Sequence, residues 1–145
     1  MAVNLLKMAV GVDSFTNLAR LQRDRLERAR ANAHPAVLRH FTRNTPRRAD
    51  AIIDGGSIYW VIGGRVRARQ LISRIERAVE TEIGPRCALV LDPALVTVDP
   101  VPHRPFQGWR YLEARDAPPD LCGHAAADAA IPPDMADELR ALGLL

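Results

Sequence analysis

Two stretches of the chain gather side chains suited to a ligand that is both anionic and aromatic. The first holds His40, Thr42, Arg43, Arg47 and Arg48. A guanidinium fork matches the oxygens of a phosphate, and a helix opening at Arg47 would aim backbone N–H groups at the same anion. Read as a strand, residues 37–43 put His40 and Thr42 on one face, and Arg39, Phe41 and Arg43 on the other. The second stretch holds His103, Arg104, Phe106, Gln107, Trp109, Arg110 and Tyr111. Rings set among arginines offer an unstacked base a stacking plane and neutralise its backbone. In this reading Arg43, Arg47, Arg48 and Arg104 hold phosphate, and Trp109 or Tyr59 stacks a base. Gln107 reads the base edge, and His40, Thr42 and His103 complete the pocket. Tyr59 and Trp60 are adjacent, so only one can face that pocket.

Each of these residues also has an ordinary role. Large aromatics usually belong to the core. Arginines on a helix usually face water, and Arg43, Arg47 and Arg48 could pair with Asp50, Asp54 or the acidic tail. Gly55-Gly56 and Gly63-Gly64 fit no phosphate-loop or dinucleotide pattern and read as turns. Ser57, Cys87 and Cys122 lie in no nucleophile motif. Cys87 sits in an apolar strand, where a thiol is inert. Asp92 and Asp99 adjoin prolines and read as turn formers. Cys122-Gly123-His124 offers two metal ligands where a zinc site needs three or four, so neither metal nor cofactor is expected. Enzymatic activity stays open.

The elements that must position these groups follow from pattern. Val3–Val10 is an apolar run and reads as a buried strand. Asp13 or Ser14 caps a helix over Phe15–Ala31, with Phe15, Leu18, Ala19, Leu21, Leu26 and Ala29 on its inner stripe. Val37–Arg43 suits a strand. Thr45 and Pro46 then open a short helix that ends at Asp54-Gly55-Gly56. Ser57–Ile62 is the clearest strand. Over 65–83 the apolar period favours a helix, although Leu71, Ser73, Ile75, Arg77 and Val79 also alternate as a strand would. Cys87–Leu91 and Leu95–Val98 are extended. Three prolines between Pro100 and Pro105 forbid a helix there, and 106–112 is a last strand or an aromatic-anchored loop. Residues 114–131 read as a surface arm, and 134–142 as a short C-terminal helix.

The whole chain has 145 residues, 48% hydrophobic and 26% charged, which is the composition of one globular domain over 1–145. No apolar run is long enough to span a membrane, and no basic leader precedes the first apolar run, so a cytoplasmic location is expected. The charge is uneven. Residues 20–77 carry 14 arginines against five acids, whereas 113–138 carry seven acids and one arginine. That asymmetry suits an anionic partner, nucleic acid first. Lys7 is the only lysine beside 19 arginines, which also fits a coding bias.

The segments HFTRNTPRR (40–48), GGSIYWVIGG (55–64), LVLDP (89–93) and RPFQGWRYL (104–112) resemble an uncharacterised alphaproteobacterial family, domain-of-unknown-function family 1489. The resemblance runs nearly end to end and implies no activity. The order of elements is also similar to PUA-like domains of the ASCH and EVE branches, which are small pseudo-barrels. That likeness implies a strand rather than a helix over RQLISRIERAVE, paired with RCALVLDP. The expected fold is therefore α+β, a small mostly antiparallel sheet or PUA-like pseudo-barrel with two or three flanking helices. The expected function is a binding module for RNA or a modified nucleotide. The alternatives are a small enzyme acting on a nucleotide or phosphorylated metabolite, with His40 or His103 as general acid/base, and a protein-interaction adaptor.

Overall fold

A turn of two glycines organises the centre of the computed structural model, which describes residues 2–121. Gly63 and Gly64 have φ of 59° and 80°. Tight antiparallel hairpins need this left-handed pair, and glycine adopts it without strain. The turn joins β3 (Ser57–Ile62) to β4 (Arg65–Thr81), with Ile62 opposite Arg65. Residues 65–81 are thus a strand, not the helix that their apolar period favours. The hairpin decides the matter: once β3 holds the returning chain, Val66, Ala68, Gln70 and Ile72 are buried at every second position. β4 then pairs antiparallel with β5 (Gly84–Leu91).

Register shifts interrupt β4. Trp60 faces Ala68 while Val61 faces Val66, which leaves Arg67 as an extra residue. Against β5, shifts fall between Ile72 and Arg74 and between Glu76 and Val79, where Ala78 takes a φ of 52°. Such bulges bend a strand and add twist, and they curl the sheet here.

The remaining strands are β1 (Val3–Met8), β2 (Leu38–Thr42), β6 (Val96–Pro102) and β7 (Trp109–Glu113). Their order is β2-β5-β4-β3-β1-β7, with β6 also on β4. β1 and β3 run parallel, and the other pairs are antiparallel. The protein is therefore α+β with one large open sheet: β2 and β7 end it without pairing to each other. Proline is tolerated at 100 and 102 because β6 has only β4 as a neighbour strand.

Two helices accompany the sheet. In α1 (Phe15–Ala31), the Asn17 N–H donates to Ser14 Oγ at 3.0 Å, the expected cap. The second helix, α2 (Ala49–Ile53), begins later than the Thr45-Pro46 signal predicts. Arg47 and Arg48 lie in a turn, and the Arg48 N–H donates to the Tyr111 hydroxyl at 3.1 Å instead of facing an open helix end.

One apolar cluster contains Leu5, Ile58, Trp60, Ile72 and Leu89 and is joined by Leu18, Phe15 and Leu26 of α1. Inside it, Gln22 and Gln70 exchange amide hydrogen bonds of 2.8 and 2.7 Å. Trp60 Nε1 donates to Gln70 Oε1 at 2.9 Å, and Gln70 Nε2 also donates to the Asp92 carbonyl. These buried amides are thus satisfied. The second cluster, Leu6, Tyr59, Val61, Val66 and Val98, is packed by Phe106, Leu112 and Ala117. Residues 119–121 run beside β6. Ala114–Asp116 form a 3-10 turn, Asp120 bridges Val98, and Arg69 clasps Asp120 with two bonds of 2.6 Å. The rest of the arm expected to 131, and the helix expected over 134–142, lie outside the described residues. No helix among the described residues is long and apolar enough to cross a membrane.

Candidate functional site

Lys7 occupies an unusual position for an ammonium. It is the one charged residue of β1, and its partners across the sheet are Trp60 on β3 and Trp109 on β7. The register therefore lays indole, ammonium and indole in one row. Partial burial lowers the Lys7 pKa. Lys7 also lines two separate hollows.

The outer hollow, about 380 Å³, lies where the two ends of the sheet face each other. β2 and the loop after it supply Phe41, Thr42, Arg43 and Asn44. The loop before β7 supplies Gln107 and Gly108, and β7 supplies Trp109. Segments some sixty positions apart thus meet, because the curl brings β2 round towards β7. Trp109 is half-buried and Arg43 is exposed. Gly108 has a φ of 73°, which turns the loop into β7. Tyr111 packs edge-on against Trp109 with ring centroids 5.0 Å apart, and the Arg48 guanidinium lies 5.4 Å from the Tyr111 ring centre.

The inner hollow, about 130 Å³, lies between α1 and the sheet. Lys7, Gln22, Arg25, His40 and Trp60 are among its lining residues. His40 meets Trp60 edge to face, with centroids 5.1 Å apart. Its Nε2 is buried and has no hydrogen-bond partner among the described residues. Burial lowers the imidazole pKa to about 4, helped by the charges of Lys7 and Arg25. His40 is therefore neutral at pH 7.

Of the residues expected to form a site, Thr42, Arg43, Gln107 and Trp109 come together around the outer hollow, and His40 stands in the inner one. Thr42 is buried and its hydroxyl donates to the Asn44 carbonyl at 3.0 Å. Arg48 is engaged by Glu113 at 2.6 Å, and this pairing holds the Glu113 carboxyl below its usual range. Arg47 and Arg104 are exposed and do not line either hollow. His103 packs on Phe106 and its Nδ1 lies 2.8 Å from the Arg104 carbonyl. Tyr59 is buried in the second cluster, on the opposite sheet face from Trp60. Its hydroxyl pKa is raised by that burial.

The pattern reading passed over Lys7 and Arg25. Both left a signal. A lysine within a strand that is otherwise apolar or buried must have somewhere to put its charge. Arg25 falls on the same helical row as Leu18 and Gln22, the two buried residues of α1. Among the described residues, no cluster of three or more His, Cys, Asp or Glu is placed to hold a metal ion.

These features define an α+β protein with a curled open sheet and a basic cleft between its two ends. The chain belongs to the family described as "Protein of unknown function (DUF1489)", whose family model matches residues 5–145. Neither the curated proteins nor the solved structures compared with the chain give a match.

Proposed function

We propose that this protein is a cytoplasmic binding module for RNA or a modified nucleotide, and that the cleft between β2 and β7 is its receptor. One observation carries the reading: Arg43, Gln107 and Trp109 converge with Lys7 on a single hollow. Its volume, about 380 Å³, lies within the range of small-ligand sites. Arg43 and Lys7 neutralise phosphate, Trp109 offers a plane for a base, and Gln107 offers an amide to the base edge. Arg47 and Arg104 are exposed outside the hollow and add only to the overall positive field, while Arg48 is held by Glu113. The likeness of element order to PUA-like domains belongs to the same proposal.

The test is fluorescence anisotropy with short single-stranded RNA across a salt series. Affinity should fall steeply as salt rises, and Arg43→Ala should reduce the log–log slope by about 0.7. Trp109→Ala should weaken binding by about 1–3 kcal/mol. No binding at low salt would overturn the reading. A small enzyme acting on a nucleotide or phosphorylated metabolite is the second reading, favoured by a neutral imidazole and an ammonium that line one hollow.

A further inference from the structure

The inner hollow contains positive charge that no acid among the described residues compensates. Its lining includes no aspartate or glutamate. Arg39 at its edge is already taken by Glu76 at 2.7 Å, and Gln22 is held by Gln70. Three polar side chains remain: Lys7, Arg25 and His40, whose buried Nε2 has no partner among the described residues. A buried, unpaired imidazole nitrogen costs about 1–3 kcal/mol unless something meets it. The walls around these groups are apolar, which strengthens any charge interaction made inside.

The size and charge of the hollow narrow the occupant. At about 130 Å³ it is close to the volume of a cavity that takes one benzene-sized group. A whole nucleotide does not fit. Two cations match a dianion, and a phosphate monoester carries about −1.5 to −2 at pH 7. A carboxylate would leave one cation unmatched. An internal phosphodiester carries one charge and needs room for two ester arms.

We infer that the Lys7–Arg25–His40 pocket is a receptor for one terminal phosphoryl group, with the two cations neutralising it and His40 Nε2–H donating to it. This deepens the nucleotide reading and rests on it for the rest of the ligand. The base then lies outward towards Trp109, and Lys7 is shared because it borders both hollows.

The test follows the His40 imidazole signals by NMR while inorganic phosphate is added at constant ionic strength. The signals should shift saturably. Acetate should bind at least about tenfold more weakly, a difference of about 1.4 kcal/mol. AMP should reproduce the phosphate shift and adenosine should not. Lys7→Met and Arg25→Gln should each weaken phosphate by at least about tenfold, while Arg86→Met, remote from the pocket, leaves it unchanged. Arg25 lies on the helix surface, so Arg25→Gln remains informative if Lys7→Met fails to fold. No saturable shift, equal affinity for acetate, or an equal loss in Arg86→Met overturns the proposal. RNA lacking a terminal phosphate separates the two readings. If it binds while phosphate leaves His40 unmoved, the pocket fails and the RNA module stands. If phosphate moves His40 and RNA binds neither with nor without a terminal phosphate, the reverse holds.

Discussion

Replacing His40 by Phe should make the protein more resistant to mild acid. In the native state burial holds the imidazole near 4, against 6.5 when exposed. The unfolded chain therefore takes up a proton below pH 6.5 that the folded chain refuses. This group's contribution is complete above pH 6.5 and is lost as pH falls through about 4. At about 1.4 kcal/mol per pH unit, the whole effect is about 3 kcal/mol, with about 2.5 kcal/mol gone by pH 4.5. The carboxylates of Glu76, Glu113 and Asp120 are all held below their usual range by arginine partners. Their contributions are lost lower on the scale, so the span from 6.5 to 4.5 isolates His40. The assay is urea unfolding at fixed ionic strength in phosphate-free buffer, half a pH unit at a time. Phe preserves the edge contact with Trp60 and removes the titration. A wild-type midpoint that stays flat across the span, or a His40→Phe slope equal to wild type, refutes the reasoning.

Other outcomes follow from the packing. Gly56→Ala should destabilise by more than about 3 kcal/mol, read by thermal melting, because a Cβ there would run into the Val3 carbonyl and lie 2.5 Å from the Ile52 carbonyl oxygen. Gln70→Leu should cost about 2–4 kcal/mol, since it strands the Gln22 amide and the Trp60 N–H together. Adding Gln22→Leu should recover part of that loss, and a double-mutant cycle measures how much. Asp120→Asn should cost about 1 kcal/mol in urea unfolding at neutral pH, by weakening the two-point clasp to Arg69. The carboxyl is held low by Arg69, so this difference between the two proteins should vanish as pH falls below the ordinary aspartate range.

Local chemistry made much of the architecture legible. The helix over Phe15–Ala31 and the strand over Ser57–Ile62 have the bounds expected from cap and composition. Residues 65–81 show why periodicity alone misleads. Val66, Ile72, Ile75 and Val79 satisfy a helical period, but the two glycines before them fix a hairpin, and long-range pairing to β3 overrides the local pattern. The shift at Arg67 leaves burial at every second position but sends Val66 and Ala68 into different clusters. The candidate site was half legible. Arg43, Gln107 and Trp109 advertised themselves by residue type. Lys7 and Arg25 did not, because their meaning comes from cross-strand register and from the way α1 lies over β2, neither of which residue type reveals. Arg48 could be read either as a phosphate ligand or as a partner of the acidic stretch, and the structure commits it to Glu113, sixty-five positions away.

Side chains, rather than backbone pairing, tie the turn before α2 to β7. Arg48 reaches over from the turn before α2 to the hydroxyl of Tyr111 and the carboxylate of Glu113 on β7. Nothing that enters the cleft has to tear a ladder of backbone bonds, because β2 and β7 never form one with each other. Undoing this tie costs one ion pair, one hydrogen bond and the Arg48–Tyr111 cation–π contact, while the seven strands keep their pairing.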